Sequence, residues 1–307
     1  MRLRLGRPDI EQYRARFDVP QAEGDLSVTF LGVATLLFDD GDSAVMFDGF
    51  FSRPSLLKVG LRPIAPHHDR IDDALHRIGF GDRRRQLGAV VPVHTHFDHA
   101  MDSAVVAQRT GATVVGGESA ANVARGGGLS DDRIEVVTDG GQSTYGAFTL
   151  DFVVSEHCPP DRFPGTIDAP VRPPVKAAEY HCGEAWSVLV THSSGPTALV
   201  QGSAGFVRGA LDGRSADVVY LGVGQLGIQD DDYIRTYWAE TVTAVGARRV
   251  VLIHWDDFFR GLDRPLRALP FLGDDLDATM RVVEQLAAEQ DVALSFPTVF
   301  RREDPWA

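Results

Sequence analysis

The chain has 307 residues, of which 44% are hydrophobic, and its formal net charge is −13. This length and composition suffice for a large buried core, whereas so acidic a surface argues against nucleic-acid binding, because phosphate backbones would be repelled. No apolar run is long enough to predict a transmembrane segment and none follows the basic N-terminus as in a secretory signal, so we expect a cytoplasmic protein.

We predict one domain over residues 1–307, with a core from about 26 to 296 and a charged N-terminal extension over 1–25. The extension carries a short predicted helix at 10–17. Between Leu26 and Asp48, three β-rich runs are separated by turns rich in aspartate and glycine, which predicts a meander.

Downstream of this meander, β-rich runs alternate with helical segments, and this alternation predicts a layered α/β architecture. The predicted helices lie at 71–78, 101–109, 119–125, 230–245 and 275–289. The predicted strands lie at 88–93, 113–115, 133–137, 147–155, 186–191, 197–201, 217–222, 249–254 and near 295. Six prolines between residues 158 and 183 exclude a helix or an inner strand there. Since long irregular loops are often functional, we expect this one to cover a substrate.

The most informative segment is His94-Thr95-His96-Phe97-Asp98-His99, which directly follows the predicted strand at 88–93. Three imidazoles and one carboxylate at the end of a strand supply the nitrogen and oxygen donors that zinc prefers. The segment therefore predicts a metal site. The alternative is a polar loop whose histidines are only solvated.

A His-x-His-x-Asp-His motif after a strand resembles the metallo-β-lactamase superfamily, and most similar are its lactonase and phospholipase-D-like members. The likeness extends to Thr29–Phe38, Ala44–Asp48, Ser155–His157, Gln201–Gly205 and Leu252–Trp255. The resemblance implies an α/β fold, the αββα sandwich of two mixed β-sheets flanked by helices. It also implies a metal-dependent hydrolase.

The resemblance further implies a set of metal ligands drawn from distant parts of the chain. One ion would be bound by His94, His96 and His157, and a second by Asp98, His99 and His254. Taken alone, His157 and His254 would be interpreted as hydrogen-bonded core or surface residues. Asp98 would also be catalytic, orienting the attacking hydroxide. Asp48 would accept a hydrogen bond from a ligating histidine, or else cap a turn before Gly49.

One position departs from the family pattern. Ser203 stands where lactonase-like relatives carry an aspartate that bridges two metals, and a neutral hydroxyl supplies neither the charge nor the bridge. One subclass of zinc β-lactamases also has serine there and is dinuclear. The number of zinc ions, one or two, therefore remains open. Mn²⁺ and iron are the alternatives to zinc.

Zinc lowers the pKa of bound water to about 7, and the resemblance implies that the resulting hydroxide attacks a small ester, lactone or phosphodiester. The alternatives are β-lactam hydrolysis and a non-hydrolytic metal-binding or redox protein. Di-iron relatives have a His-x-Glu-x-Asp motif, with glutamate at its middle position. Here that position is His96, which favours zinc and hydrolysis. The expected partner is a small-molecule substrate, and a homo-oligomer is compatible with the sequence.

Two weaker features concern substrate contacts. His181, near the end of the proline-rich loop, would either face the substrate and donate a proton to the leaving group or be a solvated loop residue. Phe50, Phe51, Leu56 and Leu57 would either line an acyl-chain groove or pack in the core.

Three further interpretations concern loops. Gly222–Gly227 is expected to border the site, but it lacks the spacing of a phosphate-binding loop. Asp256 and Asp257 are interpreted as caps of the turn after His254. Cys158 and Cys182 are interpreted as reduced structural cysteines.

Overall fold

The computed structural model describes residues 4–81 and 87–307. Its strands are β1 (Ser27–Phe30), β2 (Leu36–Asp39), β3 (Ala44–Phe47), β4 (Ala89–Val91), β5 (Thr113–Gly116), β6 (Ile134–Val136), β7 (Gln142–Tyr145), β8 (Phe148–Ser155), β9 (Ala185–His192), β10 (Thr197–Gln201), β11 (Val218–Gly222), β12 (Arg249–Ile253), β13 (Ala293–Ser295) and β14 (Arg302–Glu303). The α-helices are α1 (Leu56–Leu61), α2 (His68–Arg77), α3 (Phe97–Ala100), α4 (Ser103–Thr110), α5 (Glu118–Gly126), α6 (Asp231–Trp238) and α7 (Leu276–Gln290).

The strands form two mixed sheets of seven strands each. The order in the first sheet is β14-β1-β2-β3-β4-β5-β6, and the order in the second is β13-β12-β11-β10-β9-β8-β7. The predicted αββα sandwich is confirmed. In the first sheet β3 pairs with β4 in parallel, and in the second β10, β11, β12 and β13 run parallel. The carboxyl ends of the parallel strands in each sheet therefore lie at one edge of that sheet.

Aromatic side chains fill the space between the two sheets. Phe38 of the first sheet contacts Phe148 and Tyr220 of the second at ring-centroid distances of 6.4 and 5.8 Å, in edge-to-face geometry. The outer faces are also covered, because α2 and α4 pack on the first sheet and α6 and α7 on the second. Strands buried on both faces have continuous apolar sequences, and β3 and β12 show this pattern.

The two α-helices of the second half, α6 and α7, begin at capping signals in the sequence. The Asp230 side chain accepts a hydrogen bond from the Tyr233 N–H at the start of α6. The Asp275 side chain accepts one from Ala278 at the start of α7. Asp291 ends α7 in a left-handed conformation with φ 56°, which a short polar side chain tolerates better than most. A π-helical turn, Ala239–Thr243, extends α6.

Several elements differ from their sequence-based expectations. The strands β7 and β14 and the helix α1 were not predicted. The helix expected at 101–109 is α4, which begins at Ser103. The short helix α3, within the histidine motif, was not predicted. The loop over 158–183 has no strand or α-helix in the described chain, as predicted. Within the described ranges, none of the helices combines the length and apolarity that a membrane crossing would require.

Candidate metal centre

The histidine motif lies at the carboxyl end of β4, where the chain turns into α3. His94 and His99 are 1% exposed, and His96 and Asp98 are 7% exposed. His157 follows β8 of the second sheet by two residues, and His254 directly follows β12. Because both sheets present these strand ends to one edge of the sandwich, the structure brings together all six predicted ligands.

The first group consists of His94, His96 and His157. Their candidate ligand atoms lie within 4.8 Å of one another, and His94 Nε2 is 3.2 Å from His96 Nδ1. The His157 Nδ1–H donates to the Cys158 carbonyl at 2.8 Å. This bond leaves the His157 Nε2 lone pair free to face the other two rings.

The second group consists of Asp98, His99 and His254. The two histidine Nε2 atoms are 3.2 Å apart, and Asp98 Oδ2 lies 3.7 Å from His99 Nε2 and 3.5 Å from His254 Nε2. The two groups adjoin, because the His94 and His99 ring centroids are 3.9 Å apart. The arrangement can therefore accommodate two neighbouring ions.

The spacing of the nitrogens fits a zinc ion. Two nitrogen ligands that each lie about 2.0–2.1 Å from a tetrahedral zinc are about 3.3–3.4 Å apart, and the structure gives 3.2 Å in both groups. Imidazole nitrogens and one carboxylate are also donors that suit zinc. The residues of both groups therefore fit a metal ion.

A metal requires neutral histidines and ionised carboxylates, and the pKa shifts of His94, His157 and Asp98 favour that state. His254 is the exception, because, although burial opposes this, the Asp98 carboxylate raises its pKa. Burial and the neighbouring imidazoles lower the pKa of His94 well below its usual value, and they lower the pKa of His157 to about 4. Burial alone would raise the pKa of Asp98, but His99 and His254 outweigh it and hold that pKa far below its usual range. His94 and His157 are therefore neutral at physiological pH and Asp98 is ionised.

Asp48 contacts Nδ1 of His99, the ring nitrogen on the side away from the candidate ligand atom Nε2. It is fully buried, and its Oδ2 is 2.7 Å from His99 Nδ1. Its Oδ1 accepts the Val93 N–H at 2.9 Å. A carboxylate in this position fixes the proton on Nδ1 and leaves Nε2 to face the site. These contacts are those expected of a residue that orients a ligand, and they go beyond capping a turn.

Asp161 contacts a ring nitrogen of His96 as Asp48 contacts His99, and the sequence did not predict this residue. Its Oδ1 is 3.2 Å from His96 Nε2 and accepts the Phe163 N–H at 3.0 Å. Although burial opposes ionisation, the contact with His96 lowers the pKa of Asp161 to about 2. Its proximity to His157 in the proline-rich loop was the one available signal, and several acidic residues of that loop share it.

Gly224 is required by the packing of His254. A Cβ on Gly224 would lie 2.6 Å from His254 Nδ1, closer than real contacts allow. Gly224 and Gln225 also line a cavity that has His96, Asp98, His157 and His254 on its wall. We call it the cavity above the metal centre. The expectation that the glycine-rich loop borders the site is confirmed.

Ser203 and His181 occupy different environments. Ser203 is buried and lines the same cavity, and its Oγ accepts the Cys158 N–H at 3.0 Å. His181 does not line that cavity. Its Nδ1 is instead 2.9 Å from the Pro164 carbonyl oxygen. The position of His181 therefore gives no support to a role as proton donor.

The apolar cluster near Asp48 is divided between core and surface. Phe50 and Phe51 are 0% and 1% exposed and pack in the core, whereas Leu56 and Leu57 of α1 are 62% and 72% exposed. Leu56 lines the cavity, which has a volume of about 1000 Å³ and also contains His96, Asp98, His157 and His254 on its wall. A groove formed by all four apolar residues is therefore excluded.

The interpretation of Asp256 as a turn cap is wrong. Asp256 is fully buried and forms an ion pair with Arg53, a partner 203 positions away that no local pattern indicates. Asp257 does cap the turn, since it accepts the Phe259 N–H at 3.2 Å, and it also binds Arg267 at 2.9 Å. Cys158 and Cys182 are both free and buried, as predicted.

No family model and no curated protein sequence matches the chain, but solved structures do. A protein from Parabacteroides distasonis, provisionally named a metal-dependent hydrolase, has a TM-score of 0.54 and 10% identity, with 92% of this chain and 99% of that chain covered. A "possible metal-dependent hydrolase" from Veillonella parvula has a TM-score of 0.54 and 14% identity, with 91% and 99% covered. CmlA, a diiron β-hydroxylase from Streptomyces venezuelae, has a TM-score of 0.54 and 11% identity, with 92% and 54% covered.

At such low identities the comparisons establish the fold alone. Together with the two seven-stranded sheets and their flanking helices, they define the chain as an α/β protein with the αββα sandwich fold. Fold does not imply function, so the activity has to be argued from the site.

Proposed function

We propose that this protein is a zinc-dependent hydrolase that acts on a small ester, lactone or phosphodiester. The observation that carries the proposal is the convergence of five histidines and Asp98 in two adjoining groups, of which His96, Asp98, His157 and His254 line one open cavity. A structural metal site would be closed, whereas a catalytic one keeps a position open to substrate. The resemblance of the motif to hydrolytic relatives supports the same reaction class.

A zinc ion bound here would polarise the substrate's carbonyl or phosphoryl oxygen and lower the pKa of water near it. The chain's own residues perform the remaining tasks. Asp98 is the ionised carboxylate at the cavity wall, and it can accept a hydrogen bond from an attacking water and orient it. Asp48 and Asp161 orient His99 and His96, so that neither ring has to reorganise during the reaction.

We propose that the first group, His94, His96 and His157, binds its ion more tightly than the second. The second group has two imidazoles against three in the first, and Ser203 contributes a neutral hydroxyl where a bridging carboxylate would add a ligand and a charge. One lone pair of Ser203 Oγ is already used by the Cys158 N–H. Two ions would therefore bind with different affinities.

The proposal is tested by a hydrolysis screen with parallel metal analysis. Protein loaded with zinc is assayed on bis-p-nitrophenyl phosphate, an acyl-homoserine lactone, p-nitrophenyl acetate and nitrocefin, and the metal content is measured by mass spectrometry. We expect turnover of at least one of the first three substrates, loss of turnover with a chelator and recovery with zinc. A His94→Ala variant should be folded and inactive.

Two results would contradict the proposal. One is a zinc-replete protein that turns over none of these substrates faster than the His94→Ala variant. The other is an isolated protein that holds iron with visible absorbance and is hydrolytically inert after zinc loading. The second result would indicate redox chemistry on the same fold.

A further inference from the structure

The cavity above the metal centre has on its wall three cations without an ionic partner among the residues that the structure describes. Arg62, Arg162 and Lys176 line it and are solvent-exposed, and none of them forms an ion pair with any residue in the described ranges. The other two cavity arginines, Arg7 and Arg267, are both held by Asp257. A chain of net charge −13 thus leaves free positive charge at the entrance to its candidate site.

Two of these cations are held near each other by the backbone. Ile64 and Val175 form an isolated antiparallel bridge, with the Ile64 N–H 2.6 Å from the Val175 oxygen and the Val175 N–H 3.1 Å from the Ile64 oxygen. Arg62 lies two residues before Ile64, and Lys176 lies one residue after Val175, so the two cations are on neighbouring backbone segments without being directly opposite each other. Because both line the same cavity, an anion bound there would be near two positive charges.

The same cavity mouth exposes large aliphatic side chains. Leu56, Leu61 and Leu272 line the cavity and are 62%, 73% and 70% exposed. Exposed apolar groups clustered around a concave site are typical of a ligand-binding surface. Leu56 and Leu61 belong to α1, which ends directly before Arg62, so apolar surface and positive charge are contiguous.

We propose that the cavity recognises an amphiphilic anion, a molecule with a phosphate or carboxylate group joined to an aliphatic chain. The anionic group would lie between Arg62 and Lys176, with Arg162 nearby, and the chain would lie on Leu56, Leu61 and Leu272. This inference rests on the proposed function for the reaction that follows binding, but the recognition itself concerns binding alone.

Isothermal titration calorimetry of zinc-loaded protein with hexyl phosphate, ethyl phosphate and hexan-1-ol tests the inference. We expect hexyl phosphate to bind more tightly than either comparison molecule. Replacing Arg62 and Lys176 singly by glutamine should weaken hexyl phosphate binding by roughly fivefold to tenfold each, since each change removes a charge-assisted contact. Arg248→Gln is the matched control, because Arg248 is an exposed cation outside the cavity, with 84% side-chain exposure.

The variants separate recognition by these cations from direct coordination of phosphate by zinc, which neither substitution affects. Equal affinity of wild type, Arg62→Gln and Lys176→Gln for hexyl phosphate would overturn the inference, as would equal affinity for hexyl and ethyl phosphate. Since no turnover is measured, expected binding combined with a failed hydrolysis screen would contradict the proposed function alone. Ester hydrolysis without preferential hexyl phosphate binding would contradict this inference alone.

Discussion

Arg53 and Asp256 form an ion pair whose two side chains are both completely shielded from solvent. The other oxygen of Asp256 accepts the Val33 N–H at 2.8 Å, and the Val33 carbonyl accepts the His254 N–H at 2.6 Å. His254 itself has a left-handed backbone with φ 58°, a conformation that is unfavourable for a residue with a side chain. The ion pair therefore holds a candidate metal ligand in a strained position.

We expect Asp256→Asn to lower the free energy of unfolding by about 3–5 kcal/mol, because it leaves the buried guanidinium without its counter-charge. Chemical denaturation followed by circular dichroism measures this change. The control is Asp231→Asn at the exposed pair with Arg281, which should change stability little. A similar stability for the two variants would show that the buried pair does not hold this region.

Asp98→Asn should reduce kcat by roughly 10²- to 10³-fold, the range typical of losing one preorganised electrostatic contact at the reacting atoms. An amide has nearly the same shape but lacks the negative charge that orients the attacking water. The fold should persist, because Asp98 lies on the cavity wall rather than in the sheet packing. Turnover is measured on the best substrate of the screen, together with the circular dichroism spectrum. Near-full activity in a folded variant would remove Asp98 from the mechanism.

Asp48→Asn should weaken metal binding by about 10–100-fold, the usual cost of losing a carboxylate that supports a ligating histidine. The amide can still accept the Val93 N–H, but it is a weaker acceptor for the His99 Nδ1–H. Competition with a fluorescent zinc chelator gives the affinity. Asp42→Asn, in an exposed turn, is the control and should bind zinc like the wild type.

Ser203→Asp should raise the affinity of the weaker metal position, because it adds a carboxylate beside the two ligand groups. Zinc titration calorimetry should then give two tight sites, whereas the wild type should give one tight and one weaker site. Ser203→Ala separates the loss of the hydroxyl from the gain of charge. Identical titrations of the wild type and Ser203→Asp would place Ser203 outside the metal environment.

Removal of the metal should lower the melting temperature. A ligand that binds only the folded state stabilises it by about 2.7 kcal/mol when its free concentration is 100 times the dissociation constant. Thermal unfolding with zinc and with a chelator measures the difference. A His94→Ala/His254→Ala variant should show a much smaller zinc effect, and an undiminished effect in it would mean that zinc binds elsewhere.

The sequence was most informative where one local pattern carried the signal. The strand β10 was predicted at its observed bounds, because a short apolar run lies between clear turns. The run from His94 to His99 indicated a metal site because four potential ligands are adjacent in the chain. The positions of His157 and His254 came instead from resemblance, since an isolated histidine after a strand has no distinguishing pattern.

Features that depend on long-range contacts were missed. The exposed edge strand β7 has few apolar residues, and its pairing with β8 defines it. Asp161 and Asp256 were missed or misread because their partners, His96 and Arg53, lie 65 and 203 positions away. Propensity and periodicity contain no information about such pairs, and neither could have revealed them.

The candidate ligands are divided between the two sheets, since His94–His99 follow β4 of the first sheet and His157 and His254 follow strands of the second. Neither the first nor the second ligand group is therefore supplied by one sheet alone. Two fragments divided near Gly140, in the turn between β6 and β7, would each lack a full coordination shell, and high-affinity zinc uptake would report that they had reassociated.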